Sequence, residues 1–176
     1  MKSLVIRLSS GSTSSEEITI KGAAFGGKMA TRSTNGIVYQ LTDSSYFENA
    51  IFDDITASEN LNEVPEYRCI YLYNNGSIDG ARSIIGTKLY LTGSTYAEFK
   101  MAKVTNKNTD AGVIANEKTA PSGSMSFESY TKDNKLNIGD LNVGDRIAIW
   151  IKRTPKNVGG AGSTKESLSI IVEGAQ

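Results

Sequence analysis

The 176-residue sequence contains no histidine and a single cysteine, Cys69. Histidine is the side chain most often used for proton transfer near neutral pH, and it is also the commonest transition-metal ligand. One cysteine cannot form an internal disulfide, and its place in an apolar run favours a buried packing thiol over a nucleophile. The sequence therefore predicts a protein that is not an enzyme, with no catalytic residue, no metal ligand and no cofactor.

An excess of charge and a long hydrophobic run are also missing. The 19 basic and 19 acidic residues give a formal net charge of zero, so no global field attracts nucleic acid or an anionic membrane. Nowhere do about 18 apolar residues follow one another, and the apolar stretch at residues 4–6 ends at Arg7, too early for a signal-peptide core. We expect synthesis in a cytoplasm, with no nucleic-acid, membrane or small-molecule partner.

Pairs of acidic residues leave one enzymatic alternative open. Asp53 with Asp54, Asp43, or Glu63 with Glu66 could serve a glycosidase, which uses two carboxyl groups across a cleft. The same acids could bind calcium, but the Asp-x-Asp-x-Asp-Gly spacing is missing. Loop capping and ordinary solvation are the preferred interpretation of these residues.

Short β-branched and aromatic runs, separated by clusters of Gly, Asn, Asp and Ser, dominate the sequence and predict an all-β protein. A helix of one or two turns, capped by an Asp or a Thr, is expected within residues 54–61. The predicted strands are residues 4–8, 18–21, 28–34, 37–41, 67–73, 87–92, 96–104, 124–129, 136–138, 145–153 and 167–173. Asn35-Gly36 predicts a type I′ hairpin between two of them.

Residues 67–73 and 145–153 are the strongest predicted strands because both of their faces carry large side chains. Tyr71 alternates with Ile70 in the first strand, and Trp150 alternates with Ile149 in the second, so both should lie inside facing sheets. Residues 60–176 then hold six or seven strands, as an immunoglobulin-like β-sandwich does. Residues 1–59 are predicted to be an N-terminal arm or small β subdomain.

Several aromatic and aliphatic side chains lie in this N-terminal region, which has few predicted strands to cover them. They pack either on their own domain or on a neighbouring subunit, by strand addition or arm exchange in the second case. These candidate assembly-interface residues are Phe25, Tyr46, Phe47, Ile51 and Phe52.

Two stretches resemble bacterial and viral immunoglobulin-like repeats: residues 66–77, which end in an Asn-x-Gly turn, and residues 141–151, with a Leu-x-x-Gly entry to a strand. A longer series is similar to a family of virion structural proteins of tailed bacteriophages. It consists of FDDI at 52–55, EYRCIY at 66–71, IANEKTAPSG at 114–123 and AIWIKR at 148–153.

The resemblance covers roughly residues 50–176. It implies a virion component present in multiple copies, such as a capsid decoration (cement) protein bound to the assembled lattice, or a tail, neck or baseplate component. Its partners would be other virion proteins and further copies of itself, and it carries no catalytic residue. A carbohydrate-binding adhesion module, with exposed tyrosines stacking on sugars, is the alternative from another functional class.

Overall fold

A computed structural model describes residues 3–41, 51–93, 96–157 and 168–176. The predicted all-β fold is confirmed: the described residues form strands with one short helix, and the sheets pack as layers of a sandwich. The immunoglobulin-like topology stays a prediction. The elements are β1 Leu4–Leu8, β2 Glu17–Ile18, β3 Arg32–Ser33, β4 Gln40–Leu41, α1 Ala57–Asn62, β5 Glu66–Asn74, β6 Ile84–Thr92, β7 Ala97–Lys103, β8 Leu136–Leu141, β9 Arg146–Pro155 and β10 Ser169–Ala175.

Two sheets organise the molecule. The larger has the strand order β4-β1-β5-β9-β7, the smaller has the order β10-β6-β8, and β2 pairs with β3 in a short parallel ribbon. Every pairing within the two larger sheets is antiparallel. Strand β5 lies in the centre of the five-stranded sheet, as its two apolar faces predict, and β9 runs beside it with Cys69 opposite Trp150.

The two faces of the five-stranded sheet carry separate cores. On one face, Ile70 and Ile149 pack with Leu89 of β6 and Leu141 of β8, which joins the two sheets. On the other face, Tyr71 and the fully buried Trp150 are covered by residues 21–30 and 105–127. We call these two segments the loop layer, and they contain no named strand or helix.

The N-terminal region contributes to the main sheet. Strand β1 pairs with β5 along its whole length, from Leu4 opposite Asn74 to Leu8 opposite Ile70. Strand β4 then extends the same sheet beyond β1. Strand pairing therefore crosses the boundary predicted between residues 59 and 60.

Three predicted local structures differ from the observed ones. Asn35 and Gly36 do adopt positive φ angles of 51° and 70°, but the flanking strands do not form a hairpin, because β3 pairs with β2 and β4 pairs with β1. Residues 124–129 form a single bridge to β7 instead of a strand. The glycine-rich stretch at residues 159–163 also predicts the tip of a long hairpin, but the strands on either side of it, β9 and β10, belong to different sheets, so no hairpin joins them.

Candidate functional site

The candidate interface residues fall into two groups. Tyr46 and Phe47 lie outside the described residues. Phe52 is buried against the inter-sheet core and Ile51 is half-buried beside it, whereas Phe25 is half-buried against the loop layer's core. Phe52 thus packs on its own chain, one of the two alternatives that the sequence left open.

Phe25 and Phe52 flank a buried arginine. The guanidinium carbon of Arg68, on β5, lies 5.1 Å from the ring centroid of Phe25 and 5.3 Å from that of Phe52. Arg153, near the end of β9, lies 4.6 Å from the centroid of Phe52. Desolvated cation–π contacts of this kind stabilise a buried guanidinium.

Three carboxylates surround these two arginines. Arg68 donates to Asp53 and to Glu117, each at 2.9 Å, and its Nη1 also donates to the Tyr67 carbonyl. Its side chain is only 1% exposed, so the two terminal nitrogens make these bonds in place of water, while Nε is buried without a partner among the described residues. The cluster therefore stabilises a charge that the sheet interior would otherwise exclude.

Arg153 holds Glu66 through two of its nitrogens, with Nε at 2.7 Å from the carboxylate. It also donates to the backbone oxygen of Asp53 at 2.9 Å. Burial raises the pKa of the Glu66 carboxyl above 4.5, although the Arg153 and Arg68 guanidiniums act to lower it. The Glu66–Arg153 pair is thus a buried ion pair whose stability depends on both partners.

One carboxylate oxygen from each of Asp53, Glu66 and Glu117 lies within 4.8 Å of the other two, a spacing that could hold a metal ion. Two guanidiniums, however, already bind these oxygens, and a divalent cation would have to compete with them. The arrangement is chemically a charge-compensated clamp. It joins the segment before α1, the start of β5, the end of β9 and the loop layer.

The other candidate acids lie elsewhere. Asp54 and Glu63 are exposed, and Glu63 ends helix α1 in a left-handed conformation. Asp43 lies outside the described residues. The structure therefore brings together Asp53 and Glu66 of the proposed carboxylate pairs, and it places an arginine against each of them.

Cys69 and Trp150 lie where the sequence predicts, fully buried on one face of the five-stranded sheet. Burial raises the pKa of the Cys69 thiol, which keeps it protonated near neutral pH. Trp150 packs between the sheet and the loop layer. Both are packing residues of the second core.

Sequence reasoning missed the roles of Arg68, Arg153 and Glu117. One signal was present: Arg68 shares a strand face with Ile70 and Leu72, and an arginine on a buried face needs a charge partner. The sequence does not identify the charge partners of Arg68, because Glu117 is 49 residues away along the chain.

A second ion pair borders the cluster. Thr56 caps α1, and Glu59 completes a capping box while its carboxylate lies 2.9 Å from the Lys118 ammonium. Burial acts to raise the pKa of Glu59, but hydrogen bonds from Lys118 and Thr56 outweigh it and lower the pKa from 4.5 to about 2. Lys118 belongs to the loop layer, so this pair also attaches that layer to the segment before β5.

We expect Glu59→Gln to lower the free energy of unfolding at pH 7 by about 1–2 kcal/mol, reduced by solvent screening of the half-exposed Lys118. The unfolded chain holds the Glu59 proton more tightly, so the carboxylate stabilises the fold fully above about pH 4.5. That contribution is lost as the pH falls towards 2. Urea titrations from pH 7 to pH 2.5 measure the difference between variant and wild type.

The difference should shrink over that pH range. Glu98→Gln is the control, because Glu98 pairs with Lys100 at an exposed site, and it should change stability by less than about 0.5 kcal/mol. A difference for Glu59→Gln that stays constant from pH 7 to pH 2.5 would contradict the lowered pKa.

Comparison of the chain with protein-family models, with curated proteins and with solved structures gives no match. Within the described ranges, no helical segment has the length and apolarity needed to cross a bilayer.

Proposed function

We propose that this protein is a non-catalytic structural component of a bacteriophage virion, in its simplest form a decoration protein that binds the assembled capsid lattice. The observation that carries the proposal is the convergence of the four segments in which the chain resembles phage virion proteins. Residues 52–55 provide Asp53, residues 66–71 provide Glu66 and Arg68, residues 114–123 provide Glu117, and residues 148–153 provide Arg153. All five side chains meet in the arginine–carboxylate cluster.

This convergence gives the resemblance a physical meaning. The four segments span about a hundred residues of sequence. If they were scattered over the fold, no single structural requirement would explain the resemblance in all four. Here they form one clamp, and its two arginines neutralise the carboxylates that a hydrolase would need free. The shared residues therefore support a common scaffold rather than a common reaction.

The loop layer supplies a surface suited to binding a lattice. The Tyr71 hydroxyl donates to the Gly27 carbonyl and accepts from the Ala111 N–H at 2.9 Å, which ties the two halves of the layer to β5. Gly27 N–H donates to the Ala111 carbonyl at 3.0 Å, so the halves also contact each other. Irregular segments fixed on a rigid sheet lose little conformational entropy on binding.

The mechanism is mass action. A protein that binds only the assembled lattice lowers the free energy of that state and shifts the assembly equilibrium towards it. The strength of this effect depends on buried interface rather than on chemistry, and a few well-packed, desolvated residues near the centre of an interface contribute most. Val113, in the loop layer, is 43% exposed and is the candidate anchor.

Co-sedimentation with purified phage particles tests the proposal. Wild-type protein should bind particles that lack it, saturate at a fixed number of copies per particle, and remain after washing. Val113→Asp should weaken binding by about tenfold or more, since a charge would be buried at the contact. Heads separated from tails distinguish decoration of the capsid from a tail, neck or baseplate position.

Val143→Asp is the matched control. Val143 is 45% exposed, close to the exposure of Val113, but it lies in the turn between β8 and β9. Its variant should bind particles as the wild type does. Absence of the protein from washed virions would refute the virion assignment, and equal losses in both variants would refute the placement of the contact on the loop layer.

A further inference from the structure

Among the described residues, four strands lie at the edges of the two larger sheets, and three of them are protected from pairing with another chain. Strand β4 is only two residues long. Strand β7 exchanges two backbone hydrogen bonds with Glu128 at Met101, of 2.9 and 3.1 Å. Carbonyl oxygens of β8 accept hydrogen bonds from the Lys103 and Lys107 ammoniums. Short length, covering segments and lysines are the usual means of blocking an edge.

Strand β10 carries none of these protections within the described part of the chain. It spans seven residues, pairs on one side with β6, and accepts no backbone hydrogen bond from any other described segment. Its apolar run is Ile170, Ile171 and Val172, and its single charged side chain is Glu173, whose carboxylate lies 2.6 Å from the Lys135 ammonium of the same chain. A long apolar edge of this kind is a template for strand addition.

The sequence of β10 is complementary to itself in the antiparallel sense. Its regular pairing with β6 runs from Ser169 to Glu173 and is interrupted by a register shift beyond Glu173. The midpoint of this regular part is Ile171. When a second copy of β10 is turned by a two-fold rotation about that point, its Val172 lies opposite Ile170 and its Glu173 lies opposite Ser169.

In this register the paired residues also lie on the same face of the sheet. Ile170 and Val172 pack towards the inter-sheet core, so two apolar residues would meet on the inner face. Residues 169, 171 and 173 share the opposite face, where a serine hydroxyl would lie beside the carboxylate of the second copy. No like charges are opposed in this register.

We propose that β10 pairs antiparallel with β10 of a second copy of this chain, with the two-fold axis at Ile171, so that two three-stranded sheets form one six-stranded sheet. Such a contact is isologous and closes after two copies. It does not depend on the virion assignment, because it concerns an edge remote from the loop layer's sheet face and can be tested with the protein alone.

Charge changes at Ser169 test the register, since this residue is exposed and the change leaves the core untouched. Ser169→Lys places an ammonium opposite Glu173 of the second copy, and Ser169→Glu places two carboxylates together. Each of these pairs occurs twice in the dimer because of the two-fold axis. The dimer dissociation constant should therefore fall about two- to thirtyfold for the lysine variant and rise by a similar factor for the glutamate variant. Sedimentation velocity over a concentration series measures it.

Three outcomes would overturn the proposal. A wild-type protein that stays monomeric up to about 100 µM does not use this edge. A dimer whose dissociation constant is unchanged in both variants forms through another surface. A dimer that both variants weaken equally does not have Ser169 opposite Glu173.

Discussion

Arg153→Leu should lower the free energy of unfolding by about 3–5 kcal/mol, because it leaves the Glu66 carboxylate buried without its cation. Glu66 is 1% exposed and receives two hydrogen bonds from Arg153. Water cannot replace those bonds without opening the contact between the start of β5 and the end of β9. Urea unfolding at pH 7 measures the loss as a shift of the midpoint at constant slope.

A double-mutant cycle separates the pair from the packing around it. Arg153→Leu combined with Glu66→Leu removes both charges, so the double variant should be more stable than Arg153→Leu alone. Arg146→Leu is the matched control on the same strand, since Arg146 pairs with Asp110 at a partly exposed site and its loss should be about 1 kcal/mol or less. A loss for Arg153→Leu no larger than that of the control would show that the clamp does not stabilise the fold.

The central strands could be predicted from sequence because the information is local. In β5 and β9, alternating large side chains specify two buried faces, and a strand with two buried faces has to lie inside a sheet. The capping box that begins α1 is likewise contained in four consecutive residues, from Thr56 to Glu59. Both features need only the period of the backbone and the chemistry of neighbouring side chains.

The pairing partners could not be predicted in this way. Asn35-Gly36 fixes the backbone of its turn, with Ile37 N–H donating to the Thr34 carbonyl at 3.1 Å, but the turn does not determine what its flanks pair with. Strand β4 pairs with Ile6 and Arg7 of β1, and β3 pairs with β2. Tertiary context thus outweighs the local hairpin preference.

The arginine–carboxylate cluster could not be predicted from the sequence for the same reason. Arg68 and Glu117, or Glu66 and Arg153, are brought together by sheet order and by the path of the loop layer. Each acid, considered by itself, allows loop capping, solvation, catalysis or calcium binding. The arginine in an apolar strand was the one local sign that buried charge pairs existed.

Gly27→Ala should lower the free energy of unfolding by about 2–5 kcal/mol, the combined effect of a strained left-handed residue and overpacking. Gly27 has a φ of +75°, and a Cβ placed there would lie 2.1 Å from the Ser12 carbonyl oxygen. That oxygen already accepts a hydrogen bond from Lys28 N–H at 2.8 Å, so it cannot move without breaking a backbone contact.

Gly36→Ala provides the matched control. Gly36 has a φ of +70°, but a Cβ there would meet nothing within 4 Å, so only the backbone strain of about 1–2 kcal/mol should be seen. The difference between the two variants isolates the close approach of residues 12 and 27, which holds one half of the loop layer against the Tyr71 hydroxyl. Equal losses in chemical unfolding would mean that the backbones of residues 12 and 27 are further apart than this, and that the contact does not hold the loop layer in one arrangement.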